Sequence, residues 1–264
     1  MTIHEFGKKE NPVILLLPGT MCHWKGNFDG VIDKLAEDFL AACVAYTGFD
    51  EGDKEDYRSV MDEVQRIEEE VQRRYGGTIC AAYGCSLGGT FVAHLIHRHK
   101  IHMKAGIIGS SDLDQAGSFK ANLMASLMVR LTWNFIHTGH YKSKLMKKRY
   151  EKQMTDPDPY NRAFVGITGI GRYDMSYISK ESIYNQFRSD LMTPLPKQID
   201  NGETEVHVFY AKKMGEKYLD RYKKYFKNPV IHERDLRHEE LLGVYPVEWC
   251  GLVKKICLRK EIQE

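Results

Sequence analysis

Apolar positions along this chain follow two alternating patterns. Val13–Leu17 is a short, wholly apolar run closed by Pro18-Gly19, the pattern of a strand buried on both faces of a sheet. Residues 28–39 carry Val31, Ile32, Leu35, Ala36 and Phe39 at the i, i+3, i+4 spacing of an amphipathic helix. A strand over 40–46, closed by Gly48, precedes a charged helix over 57–75 with Val60, Val64, Ile67 and Val71 on one stripe and Gly76-Gly77 as its stop. A strand over 78–83, a helix over 88–99 and a strand over 105–109 follow. Later the same alternation returns: strand 205–211, helix 216–226, strand 230–236, and a helix opening at Pro246, where a missing N–H costs nothing. Strand–helix alternation predicts an α/β protein, a mostly parallel sheet flanked by helices.

Residues 117–197 interrupt the series. They contain several helix-length segments rich in Met, Tyr and Phe and no clear strand. The expectation is a helical lid inserted before the last two strands, dividing the chain into a core of residues 1–116 and 198–264 and a cap of residues 117–197. Met124, Met128, Trp133 and Phe135 fall at helix-like spacings, so part of this set is expected to line a pocket of drug-like size beneath the cap. Lys and Arg number 13 in this segment against 6 Asp and Glu, which points to substrates carrying a carboxylate.

Composition narrows the class further. Across all 264 residues, 38 Lys and Arg face 36 Asp and Glu, too even a balance to imply nucleic-acid binding. With 42% hydrophobic and 28% charged residues the chain is globular in composition, and at this length it can bury about 73% of its unfolded surface. No run approaches the 18 apolar residues of a membrane span, and Met1 to Pro12 lacks a signal-peptide core. Six cysteines without a C-x-x-C pair read as reduced, mostly buried thiols, so the expected location is cytoplasmic.

The sharpest chemical signal is Gly84-Cys85-Ser86-Leu87-Gly88-Gly89, where a predicted strand meets a predicted helix. A serine on so tight a turn adopts strained backbone angles and projects its hydroxyl above the sheet edge, with glycines two before and two after letting strand and helix pass closely. The Leu87 N–H faces the same point and can donate to an oxyanion. A hydroxyl needs a base to become a nucleophile. Eleven histidines compete for that role, and His238 lies just beyond the last predicted strand. The crowd at His94, His97, His99 and His102 suits a helix C-terminus better than a metal site.

These motifs, with the Pro18-Gly19-Thr20 turn and the helical insertion, resemble the α/β-hydrolase superfamily over nearly the whole chain. The resemblance implies the α/β-hydrolase fold, Ser86 as nucleophile, His238 as base, and Thr20 and Leu87 as oxyanion donors. Pro18 stands where the superfamily usually has histidine. The acid usually follows the strand matching 205–211, where Met214 falls here. Glu216 two residues on and Asp112 after the preceding strand are alternatives for that role. The implied activity is a serine hydrolase acting on a small apolar acyl or aryl ester through an acyl-enzyme, without metal or organic cofactor. Thioesterase, acyltransferase and amidase variants use the same parts. A non-catalytic ligand-binding protein on the same fold is the alternative from another class.

Overall fold

The computed structural model describes residues 1–258. Its core is a seven-stranded sheet in the order β1-β3-β2-β4-β5-β6-β7. The strands are β1 (Thr2–Phe6), β2 (Val13–Leu17), β3 (Leu40–Ala45), β4 (Thr78–Gly84), β5 (His102–Ile108), β6 (Glu205–Ala211) and β7 (Val230–Arg234). All neighbouring pairs are parallel except β1 with β3. The two-faced burial read from Val13–Leu17 has a direct counterpart. Leu15 and Leu17 point into one core with Val44, Val64 and Phe91, while Ile14 and Leu16 point into the other with Phe28, Leu35 and Trp249.

Helices α1 (Trp24–Ala36) and α10 (Pro246–Cys257) cover the second face; α2 (Val60–Tyr75), α3 (Leu87–Arg98) and α8 (Glu216–Tyr225) cover the first. α1 begins four residues earlier than its apolar stripe predicts, because the His23 ring accepts from the N–H groups of Lys25 and Gly26 and caps the helix. β1 was not predicted. It is an edge strand with Ile3 buried in one core and Phe6 partly buried against the other, separated by His4 and Glu5, too weak a periodicity to register.

Between β5 and β6 the chain forms four helices, α4 (Ser118–Thr138), α5 (Lys144–Thr155), α6 (Pro159–Thr168) and α7 (Lys180–Met192), and no strand. α9 (Glu240–Val244) lies between β7 and α10.

His94 sits inside α3, 4% exposed, with its Nε2 unpartnered among the described residues. Burial, helped by the positive charge of His97 and Arg98, pushes its pKa down to about 4. The unfolded ring titrates near 6.5, so in the acid range the unfolded chain takes up the proton first. Stability contributed by the neutral ring is therefore complete above about pH 6.5 and falls as pH drops toward 4, by up to about 1.4 kcal/mol per unit. His94→Leu should flatten this part of the profile. Urea unfolding of both proteins between pH 7 and pH 4 measures it; equal losses would assign the acid sensitivity to other groups.

Candidate active site

At the end of β4 the backbone turns abruptly into α3. Ser86 carries φ 48° and ψ −112°, angles a side-chain-bearing residue rarely adopts. A β-carbon on Gly84 would lie 2.1 Å from the carbonyl of Gly88, and one on Gly88 would lie 2.1 Å from the carbonyl oxygen of Leu17. Both positions must therefore be glycine for β2, the turn and α3 to approach this closely. The Cys85 N–H donates to Leu17 O at 2.9 Å and the Gly109 N–H to Gly84 O at 2.8 Å, tying the turn to the strands on either side.

β4 adjoins β2, the strand from which the chain order runs in opposite directions, so the loops after β2 and β4 meet at the crevice where ligands of open α/β sheets bind. Side-chain amides hold the loop after β2. Asn27 Oδ1 accepts the Gly19 N–H at 2.9 Å, and Gln186 Oε1 accepts the Met21 N–H at 2.8 Å. Asn27 also donates to Ile167 O at 3.1 Å. The N–H between them, on Thr20, takes no acceptor among the described residues, and neither does that of Leu87 at the start of α3. Thr20 lines the cavity that contains Ser86, and the positive end of α3 begins directly after that serine.

Thr20, Cys22, Ser86, Phe164, Ile167 and His238 line one cavity of about 150 Å³. His238 is half-buried in the loop after β7, with Phe164 presenting its edge at 6.0 Å between ring centres. The loop is anchored to the start of α6. Tyr160 donates its hydroxyl to His238 O at 3.0 Å, and Arg237 bonds Asp158 at 2.5 and 3.0 Å while lying over the Tyr160 ring. Burial, then the nearby Glu239 charge, pushes the Cys22 thiol up to about 12 and the Cys85 thiol upward as well. Both stay protonated near neutral pH.

A strained serine on a strand–turn–helix in mid-sheet, sharing a cavity with a histidine after the last parallel strand, decides the architecture. The fold is that of the α/β-hydrolases. A Desulfitobacterium hafniense protein assigned to the α/β-hydrolase family superimposes with a TM-score of 0.76 over 97% of this chain and 99% of its own, at 17% identity. The enol-lactonase of Burkholderia xenovorans LB400 does so at 0.70 over 98% and 96%, with 12% identity. 1H-3-hydroxy-4-oxoquinoline 2,4-dioxygenase reaches 0.64 over 98% and 96%, with 16% identity. No family model matches the sequence, and no curated protein is similar to it in sequence.

Within this α/β-hydrolase fold neither expected acid meets the histidine. Glu216 is exposed at the start of α8. The Asp112 carboxylate accepts the Asp114 N–H at 3.1 Å, and its backbone oxygen accepts from Arg221. Among the described residues no carboxylate bonds the His238 ring. Two expectations about the pocket are corrected. Its apolar lining comes from Phe164 and Ile167 of α6 rather than Met124, Met128, Trp133 or Phe135, because α6 is the helix packed on α1 and α9 at the sheet edge. Its volume is also below the 300–1,000 Å³ usual for drug-sized ligands.

One residue of the site escaped sequence reading. Glu239 is 3% exposed and left-handed at φ 54°. Its Oε1 accepts the N–H groups of Ser86 and Ser110, each at 2.8 Å, and its Oε2 accepts the Tyr83 hydroxyl at 3.0 Å. Burial and this carboxylate raise the Tyr83 pKa, keeping the phenol a donor. Glu239 thus joins the ends of β4 and β5 to the loop that carries His238.

Proposed function

We propose that the chain is a serine hydrolase acting on a small apolar acyl or aryl ester. The observation that carries this reading is the shared cavity: Ser86 on its strained turn, His238 and Thr20 line it together, and Leu87, whose N–H has no acceptor among the described residues, follows Ser86 at the start of α3. In this reading His238 takes the Ser86 proton as Oγ attacks the acyl carbonyl, and Thr20 and Leu87 hold the oxyanion. The alcohol leaves with that proton, and water activated by His238 then releases the acid.

Since neither Asp112 nor Glu216 bonds the ring, Ser86 and His238 act as a dyad, with the His238 loop held by Tyr160 and Arg237 instead of a carboxylate on the imidazole. Residues 117–197 act as the cap, with α6 as the wall over Ser86. The cavity of about 150 Å³ favours a short acyl group. No Lys or Arg lines it, so the basic excess of the cap does not select an anionic substrate. The missing ring–carboxylate bond also suits the second reading, a ligand-binding protein without turnover.

A fluorophosphonate probe separates the two. Folded protein should become labelled at Ser86, and prior treatment with a short-chain ester should slow the labelling. No labelling of the folded protein would leave the binding-protein reading standing. A panel of ester, thioester and amide substrates then ranks the leaving groups.

A further inference from the structure

α4 has two unlike faces. On one, Ala121 and Ala125 are buried, and Asn122 accepts from Tyr184 at 3.3 Å and Arg188 at 2.7 Å, which seats the helix on α7. On the other, Phe119, Leu123, Leu127 and Leu131 recur every four residues and stand 83%, 60%, 51% and 41% exposed. Leu145 at the start of α5 is 77% exposed beside them in sequence. A row of bare leucines and a phenylalanine this long is an interaction surface, since lone apolar residues need no partner but contiguous ones do.

Charge identifies the partner. Residues 118–155 hold eight Lys and Arg and a single acidic residue, Glu151. That net charge of +7 is the entire basic excess of residues 117–197, and it leaves the rest of the chain net negative. Lys120, Arg130, Lys142, Lys144, Lys147 and Lys148 are all exposed along this segment. A second copy seated on the same face would bring two such charges together, whereas anionic headgroups would neutralise them. No described helix is long and apolar enough to cross a membrane, which leaves the in-plane arrangement: apolar side chains sunk into the headgroup boundary and basic ones around them. We infer that the α4–α5 segment docks this protein on an anionic lipid bilayer.

Co-sedimentation of the full chain with vesicles tests this. Vesicles of phosphatidylcholine mixed with phosphatidylglycerol should bind at least about tenfold more protein than phosphatidylcholine alone at low ionic strength. Salt near 1 M, where screening acts within about 3 Å, should remove most of the difference. The double variants Leu123→Asp/Leu127→Asp and Lys147→Glu/Lys148→Glu should each lose most binding, while circular dichroism and turnover of a soluble short-chain ester stay unchanged. Ser86→Ala protein should bind as wild type, so failure of the hydrolase reading would leave this result intact. Equal binding to both vesicle types, or wild-type binding by the lysine variant, would overturn the inference. So would a wild-type dimer that Leu123→Asp/Leu127→Asp dissociates, which would assign the face to a second copy.

Discussion

Ser86→Ala should lower kcat for a short-chain ester by a factor on the order of 10⁴ or more, with little change in unfolding free energy. The hydroxyl is the group that forms the acyl bond, while the turn that holds it is fixed by Gly84, Gly88 and the bonds of Cys85 and Gly109, none of which the substitution touches. His238→Ala should cost a similar factor, and the double variant should be no worse than either single one, because nucleophile and base act as one unit. Asp112→Asn and Glu216→Gln should stay within about tenfold of wild type, since neither carboxylate bonds the imidazole. Steady-state kinetics on the five proteins decide the matter. Wild-type turnover in Ser86→Ala would falsify the mechanism, and a loss in either carboxylate variant as deep as that of His238→Ala would replace the dyad with a triad.

Glu239→Ala should be the most destabilising single change near the site. It strips a buried acceptor from three donors, the N–H groups of Ser86 and Ser110 and the hydroxyl of Tyr83, at about 1–3 kcal/mol for each donor left unsatisfied. Turnover should fall with it, because the lost bonds position both Ser86 and the loop of His238. Glu239→Gln separates the two effects. Its amide oxygen can keep both N–H bonds, and its NH₂ can donate to Tyr83 once that hydroxyl turns, so stability and kcat should largely recover. Denaturant unfolding and kcat for the two variants give the comparison. An alanine variant within about 1 kcal/mol of wild type, or a glutamine variant as damaged as alanine, would show that this carboxylate does not position the site.

Local pattern was enough to specify the core of this protein. Consecutive apolar residues in Val13–Leu17 require two buried faces, and the alternation of such runs with 3.6-period stripes leaves a parallel sheet with helices on both sides as the arrangement that satisfies them. Gly84 and Gly88 around Ser86 were equally readable, because the steric demand of the turn is met by residues two positions away. Tertiary structure decided what depends on distant partners. The sequence beside His238 reads as a charged pair, Glu239-Glu240, of the kind normally left in water. Glu239 is buried because donors 153 and 129 residues away, on Ser86 and Ser110, converge on its carboxylate once the sheet has formed. The same holds for the cavity wall: the apolar stripe of α4 looked like its lining, yet α6, a helix half as long, packs on α1 and α9 and contributes Phe164 and Ile167 to the cavity of Ser86. Periodicity fixes which face of an element seeks cover, and only the closed fold determines what covers it.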